Sequence, residues 1–150
     1  MNFSDYEIYK NLSEEVIEIY SSRVEWRFVS IYSKLSEQFI REFKYKVIWS
    51  SISAYQTLSE DFVREFKDFV VWEYIFRYQE LTEEFIIEFV DEVETNSSSI
   101  QLWEYISSKQ KLSEKFIREN LDKLDIELLI EYQKEISEEF RNTLKLILVM

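Results

Sequence analysis

Apolar and polar positions follow one another along this chain in a pattern that restarts at intervals. The block Leu12-Ser13-Glu14-Glu15-Val16-Ile17 returns with small changes at residues 35–40, 58–63, 81–86, 112–117 and 136–141. The spacings are 23, 23, 23, 31 and 24 residues, a period that marks a stacked-repeat protein. Counting each repeat from its Leu (Ile136 in the last), position 2 is Ser or Thr. That is a strong helix N-cap, because the hydroxyl accepts from backbone N–H groups left unpaired at a helix start. Positions 3 and 4 are mostly acidic, which suits the positive end of the helix dipole. Positions 1 and 6 form a hydrophobic staple in Leu12/Ile17, Leu35/Ile40, Leu58/Val63, Leu81/Ile86 and Leu112/Ile117. Apolar residues at positions 5, 6, 9 and 13 complete one face of a helix A of about ten residues.

A second apolar set at positions 15, 18 and 21 predicts a short helix B: Trp26-Val29-Tyr32, Trp49-Ile52-Tyr55 and Trp72-Ile75-Tyr78. Its repeat position marks this Trp/Tyr stripe as core rather than as a base-stacking surface. In the fourth repeat the set returns late, as Trp103 and Ile106 with Lys109 in the Tyr place, and in the fifth it reads Ile126, Leu129 and Tyr132. Phe3, Tyr6 and Tyr9 match a lone helix B at the start, and Phe140, Leu144 and Ile147 match a closing helix A. Helices this short are marginal alone and depend on packing between neighbours. The expected fold is all-α, a right-handed α-α solenoid with half-repeat caps. We read it as one domain over 1–150: a half repeat 1–11, repeats 12–34, 35–57, 58–80, 81–111 and 112–135, and a capping helix 136–150.

Composition narrows the chemistry. The chain has no Cys and no His, which removes disulfides, thiolate nucleophiles, imidazole bases and Cys/His zinc sites. Gly and Pro are also absent, so no Gly-rich phosphate loop can form and turns must use Ser, Asn, Asp or Lys. No leader pattern and no bilayer-length apolar run is visible, and the expected location is cytoplasmic. The net charge of −12 repels nucleic acid and anionic membranes. It is uneven: from Tyr78 to Ser108 there are eight acids and no base.

The blocks Leu35-Ser36-Glu37-Gln38-Phe39-Ile40-Arg41-Glu42-Phe43-Lys44 and Trp49-Ser50-Ser51-Ile52-Ser53-Ala54-Tyr55-Gln56 resemble a tandem helical repeat of proteins from large DNA viruses and some bacteriophages. The resemblance covers nearly the whole chain. It implies the repeat architecture and, for a viral protein, the host cytoplasm; no catalytic residue carries over. The Asp that precedes the Trp in that repeat is Glu25, Ile48 and Val71 here, which predicts a weaker cap on helix B.

Functional signal lies where the repeats differ. The fourth carries an insertion around residues 94–101, and insertions in solenoids map to loops, often on a binding face. Apolar residues replace polar ones at Ile87 (Arg41, Arg64 and Arg118 elsewhere), Val90 (Lys44, Lys67), Phe76 (Ser30, Ser53, Ser107) and Phe69 (Lys46, Lys123). An exposed cluster of these would mark an interaction surface. Beside them stand the acids Glu80, Glu83, Glu84, Glu88, Asp91, Glu92 and Glu94, which would suit a basic partner, and Asn96. These twelve residues are the candidate partner-binding set. The expectation is a protein-binding repeat module, not an enzyme, with no cofactor or metal and no direct contact with nucleic acid or membrane. A narrower expectation is an acidic, nucleic-acid-mimicking inhibitor of a host nucleic-acid-handling defence protein. The alternative is a structural repeat protein that forms homo-oligomers. An enzyme using Asp and Glu alone, in the manner of glycosidases, finds no pair of carboxylates that departs from the repeat.

Overall fold

The computed structural model describes residues 3–96 and 101–150, and the chain divides into two compact units, residues 1–75 and 76–150. Among the described residues all regular structure is helical. The order is α1 (Phe3–Lys10), α2 (Glu14–Ile19), α3 (Trp26–Tyr32), α4 (Glu37–Glu42), α5 (Trp49–Tyr55), α6 (Glu60–Glu65), α7 (Trp72–Tyr78), α8 (Glu83–Asn96), α9 (Gln101–Lys109), α10 (Glu114–Glu119), α11 (Ile126–Tyr132) and α12 (Glu138–Leu148). These are the expected A and B helices in alternation, an α-solenoid repeat fold. Within the first unit the B helices α1, α3 and α5 pack on one another in turn; within the second, α9 packs on α11 and α11 on α12.

Helix A starts where the caps require. The hydroxyls of Ser13, Ser36, Ser59, Ser113 and Ser137 each accept from the backbone N–H three residues on, and Thr82 does the same for Phe85. The staple residues Ile17, Ile40, Val63, Ile86 and Ile117 are fully buried. Helix A ends sooner than the ten residues expected. It is six residues long in α2, α4, α6 and α10, and a separate turn follows. In that turn the Phe43 carbonyl accepts from Lys46 and Val47, and the Phe66 carbonyl from Phe69 and Val70. This bend keeps Val47 and Val70 buried. The fourth repeat does not bend, and α8 continues for 14 residues. Phe85, Ile86, Phe89, Val90 and Val93 form one buried face along it, so Val90 extends the helical stripe that Lys44 and Lys67 interrupt.

Helix B is less strongly begun, as the missing Asp predicts. Glu25 and Ile48 provide no side-chain cap to α3 and α5, whereas Asp125 accepts from Leu128 N at the start of α11. The middle residue of the B stripe is core: Val29, Ile52, Ile75, Ile106 and Leu129 are fully buried. The outer two are not, apart from Trp103, which is buried. Trp26 and Trp49 are half-buried between rings, stacked on Phe43 and Phe66 at 5.1 Å, and Tyr55, Tyr78 and Tyr132 are exposed. Six residues of helix turn through 600°, so the first and third stripe residues point well away from each other. In α12 Phe140 and Leu144 are buried, while Ile147, in its last turn, is exposed.

The repeats are joined by side chains that satisfy the backbone of their neighbours. Gln133 donates to the carbonyls of Ser107 (2.8 Å) and Gln110 (2.7 Å) and accepts from Leu112 N (3.2 Å). Gln110 does the same for Phe76, Gln79 and Leu81, and Gln56 for Ser30, Ser33 and Leu35. The carbonyls lie near or just past the end of a helix B, where the chain cannot bond to itself. Helices commonly close with a Gly in the left-handed region. With no Gly in the chain, and no residue at positive φ among those described, the next repeat supplies the cap. At the last repeat Arg141 takes over, donating to the carbonyls of Ile130 and Gln133.

Two further ladders run alongside. Ser30, Ser53 and Ser107 are buried; each hydroxyl donates to the Trp carbonyl four residues back and accepts from the next helix B start, at Ile48, Val71 and Asp125. The carboxylates of Glu14, Glu37, Glu83 and Glu114 accept from the cap N–H of the following repeat, at Ser36, Ser59, Ser113 and Ser137. A single repeat therefore leaves polar backbone groups unmet that only a neighbour can satisfy.

Candidate groove between α8 and α10

Position 7 of helix A is an arginine in the second, third and fifth repeats (Arg41, Arg64, Arg118) and Glu18 in the first. Arg41 donates to Glu65 at 2.8 Å, lies 3.8 Å from Glu37 one turn back, and covers the Phe62 ring at 4.9 Å. Arg118 covers the Phe140 ring at 4.2 Å and sits 3.8 Å from Glu114. Arg41 thus bridges the A helices of successive repeats by charge and by its place over an aromatic ring, and Arg118 by the ring contact.

The fourth repeat keeps the seat and lacks the arginine. Ile87 stands at position 7 of α8, half-exposed at 48%. Glu83, Phe116 and Glu119 hold the places that Glu37, Phe62 and Glu65 hold around Arg41. Between α8 and α10 lies an open groove of about 450 Å³, lined by Glu83, Glu84, Ile87, Glu88, Lys115, Phe116 and Glu119. Phe116 is at its floor, 5% exposed, and among the described residues no cation lies over its ring. Glu119 has one ion pair among those residues, a 3.9 Å contact with the exposed Lys115.

The twelve candidate residues separate on the structure. Glu83, Glu84, Ile87 and Glu88 come together in this groove. Phe76 and Val90 lie in the interior, at 0% and 1% exposure, and add nothing to a surface cluster. Their equivalents misled because the Ser at the Phe76 position is itself a buried ladder residue, and because α8 continues past Val90. Phe69 belongs to the first unit and covers Trp49 at 5.1 Å, where Lys46 covers Trp26 and Lys123 covers Trp103. Glu80, Asp91 and Glu92 are exposed, and Asp91 pairs with Lys123 at 3.3 Å. The side chains of Glu94 and Asn96, and residues 97–100 of the expected insertion, lie outside the described residues. Phe116, Glu119 and Lys115 also line the groove and are absent from the candidate set, because they match the repeat pattern and nothing in their own positions departs from it.

Two smaller clefts recur at the turns from helix B to helix A, beside Gln56 and Gln133, and belong to the ladder. Among the described residues, the indole N–H of Trp103 has no partner. Trp26 and Trp49 donate to carbonyls five residues back, at Ser21 and Lys44; from Trp103 that offset falls on Ser98, outside the described residues. The Glu114 carboxyl is held below its ordinary value by hydrogen bonds from the Ser137 hydroxyl and N–H. Lys10 is raised by its bond with Tyr6, and Tyr132 by its bond with Glu131. Among the described residues no group of three or more Asp or Glu is arranged to hold a metal ion, and no helix is long and apolar enough to cross a membrane.

Compared with protein-family models, with curated proteins and with solved structures, the chain matches none, so its description as an all-α repeat of short helix pairs rests on its own geometry.

Proposed function

We propose that this chain is a non-enzymatic protein-binding repeat module and that the α8–α10 groove receives a segment of its partner. The observation that carries this is Ile87 in place of Arg: it stands in a groove between α8 and α10 that has an aromatic floor and an acidic rim. Apolar contact area with a few placed charges is the usual chemistry of a recognition site. The acidic rim favours a basic partner and speeds encounter with it. The narrower reading, supported by the resemblance to viral and phage repeats and by the acid-rich fourth repeat, is an inhibitor that occupies the basic groove of a host nucleic-acid-handling defence protein.

A photoreactive amino acid placed at Ile87 tests the site, with Tyr55 as an exposed control. Covalent capture of one protein from the cells of origin at position 87, absent from position 55 and from Ile87→Arg carried in a second crosslinking register at Glu84, is the expected outcome. Equal capture at all positions would remove the groove from the argument. A second reading, self-assembly, is favoured by the exposed apolar residues Leu146, Ile147, Leu148 and Val149 at the end of α12. Light scattering across a hundredfold dilution decides it: a constant monomer mass excludes this alternative.

A further inference from the structure

We infer that the α8–α10 groove takes an arginine side chain from its partner, seated as Arg41 and Arg118 sit against the repeats that follow them. The inference rests on the groove being the binding site and names what it reads. The chain supplies its own template. Arg41 shows a guanidinium bonded to the position-8 carboxylate of the next helix A and placed over its position-5 ring, and Arg118 repeats the ring contact on Phe140. In the second unit the position-5 ring is Phe116, the position-8 carboxylate is Glu119 and the carboxylate one turn back is Glu83. All three line the groove. Ile87 is shorter than Arg and carries no charge, so it leaves the outer part of this seat open.

The chemistry selects arginine over other basic groups. A guanidinium can stack its plane on the Phe116 ring while its edge donates to Glu119, whereas an ammonium satisfies one of these contacts at a time. The apolar stem of the incoming side chain would lie along Ile87, as amphipathic side chains do over apolar surface. Lys115 stands 3.9 Å from Glu119 with both side chains largely exposed; such a pair is weak and yields readily to a better donor.

The test is a nuclear magnetic resonance titration of the full chain with three blocked tripeptides: acetyl-Leu-Arg-Leu-amide, the same peptide with citrulline in place of arginine, and the same with lysine. The arginine peptide is expected to shift the amides of Ile87, Phe116 and Glu119 saturably. The citrulline peptide, equal in shape but uncharged, should bind at least about tenfold more weakly, the size of one lost charge-assisted contact. In Ile87→Arg the seat is filled from within, and the arginine peptide should lose its effect on Phe116 and Glu119; Phe116→Leu should narrow the preference for arginine over lysine. Citrulline binding as tightly as arginine, or undiminished binding to Ile87→Arg, overturns the inference. Specific capture at position 87 alongside that result would leave the groove standing as a binding site that does not read arginine.

Discussion

Replacing Gln133 by Met tests the side-chain ladder that joins the repeats. Met has nearly the length and volume of Gln, so little cavity forms. What is lost is polar. The Ser107 and Gln110 carbonyls lose their donor at 2.8 and 2.7 Å, and Leu112 N loses its acceptor at 3.2 Å. Gln133 is only 6% exposed, so water reaches these groups poorly. A buried polar group left unmet costs about 1–3 kcal/mol. Three such groups, offset by no longer burying the Gln amide, put the expected loss at about 3 kcal/mol. That is a large share of the roughly 5–15 kcal/mol by which a domain is stable. Urea unfolding followed by tryptophan fluorescence measures the loss, and amide hydrogen exchange at Leu112 reports whether it arises at the junction. Exposed Gln38, whose amide donates to Glu42, provides the comparison as Gln38→Met. If Gln133→Met costs no more than Gln38→Met and Leu112 exchange is unchanged, the ladder does not hold the repeats together.

Other substitutions separate interior from surface. Val90→Lys places an unpaired charge in the buried face of α8 and should cost about 3 kcal/mol or more in urea unfolding, while Ile87→Arg should stay within about 0.5 kcal/mol of wild type or stabilise slightly; equal effects would mean the two positions are not buried and exposed as described. Ser113→Ala removes the cap on α10 and the hydroxyl bond to Glu83, and should cost about 1–2 kcal/mol by the same assay, an expectation that fails if thermal and urea midpoints are unmoved. The Glu114 carboxyl is depressed in the folded state by Ser137. Its contribution is therefore complete above the ordinary carboxylate value and is lost as pH falls through the depressed one. The Ser137 amide shift should titrate below the usual carboxylate range, and a midpoint within or above it contradicts the assignment.

Much of the repeat was legible in the chain because its start signals are local. A Ser or Thr cap, acids in the first turn and a staple six residues wide act within one helix, and every helix A described begins where they stand. The absence of Asp before Trp49 likewise foretold an uncapped α5. The end of helix A was less legible. Apolar residues at positions 9 and 13 fit a continuing helix as well as a bend, and the choice between Val47 after a turn and Val93 along α8 is made by what each packs against. Burial was misread where polarity served the interior. Ser53 looks like a surface residue in sequence, yet it is buried because its hydroxyl meets two backbone groups, and Phe76 at the equivalent place is core.

The candidate site divides in the same way. From the sequence alone came the one departure that matters most, Ile87 in place of Arg, and the acids Glu83, Glu84 and Glu88 near it. Only the tertiary structure could add Phe116 and Glu119. They lie about thirty residues further along the chain and look like every other copy of their positions, so nothing in their own sequence distinguishes them. Helical periodicity fixes which residues share a face, because it depends on neighbours one turn away. Which face meets which depends on packing between repeats, and the seat that Arg41 fills and Ile87 leaves open exists only between two of them.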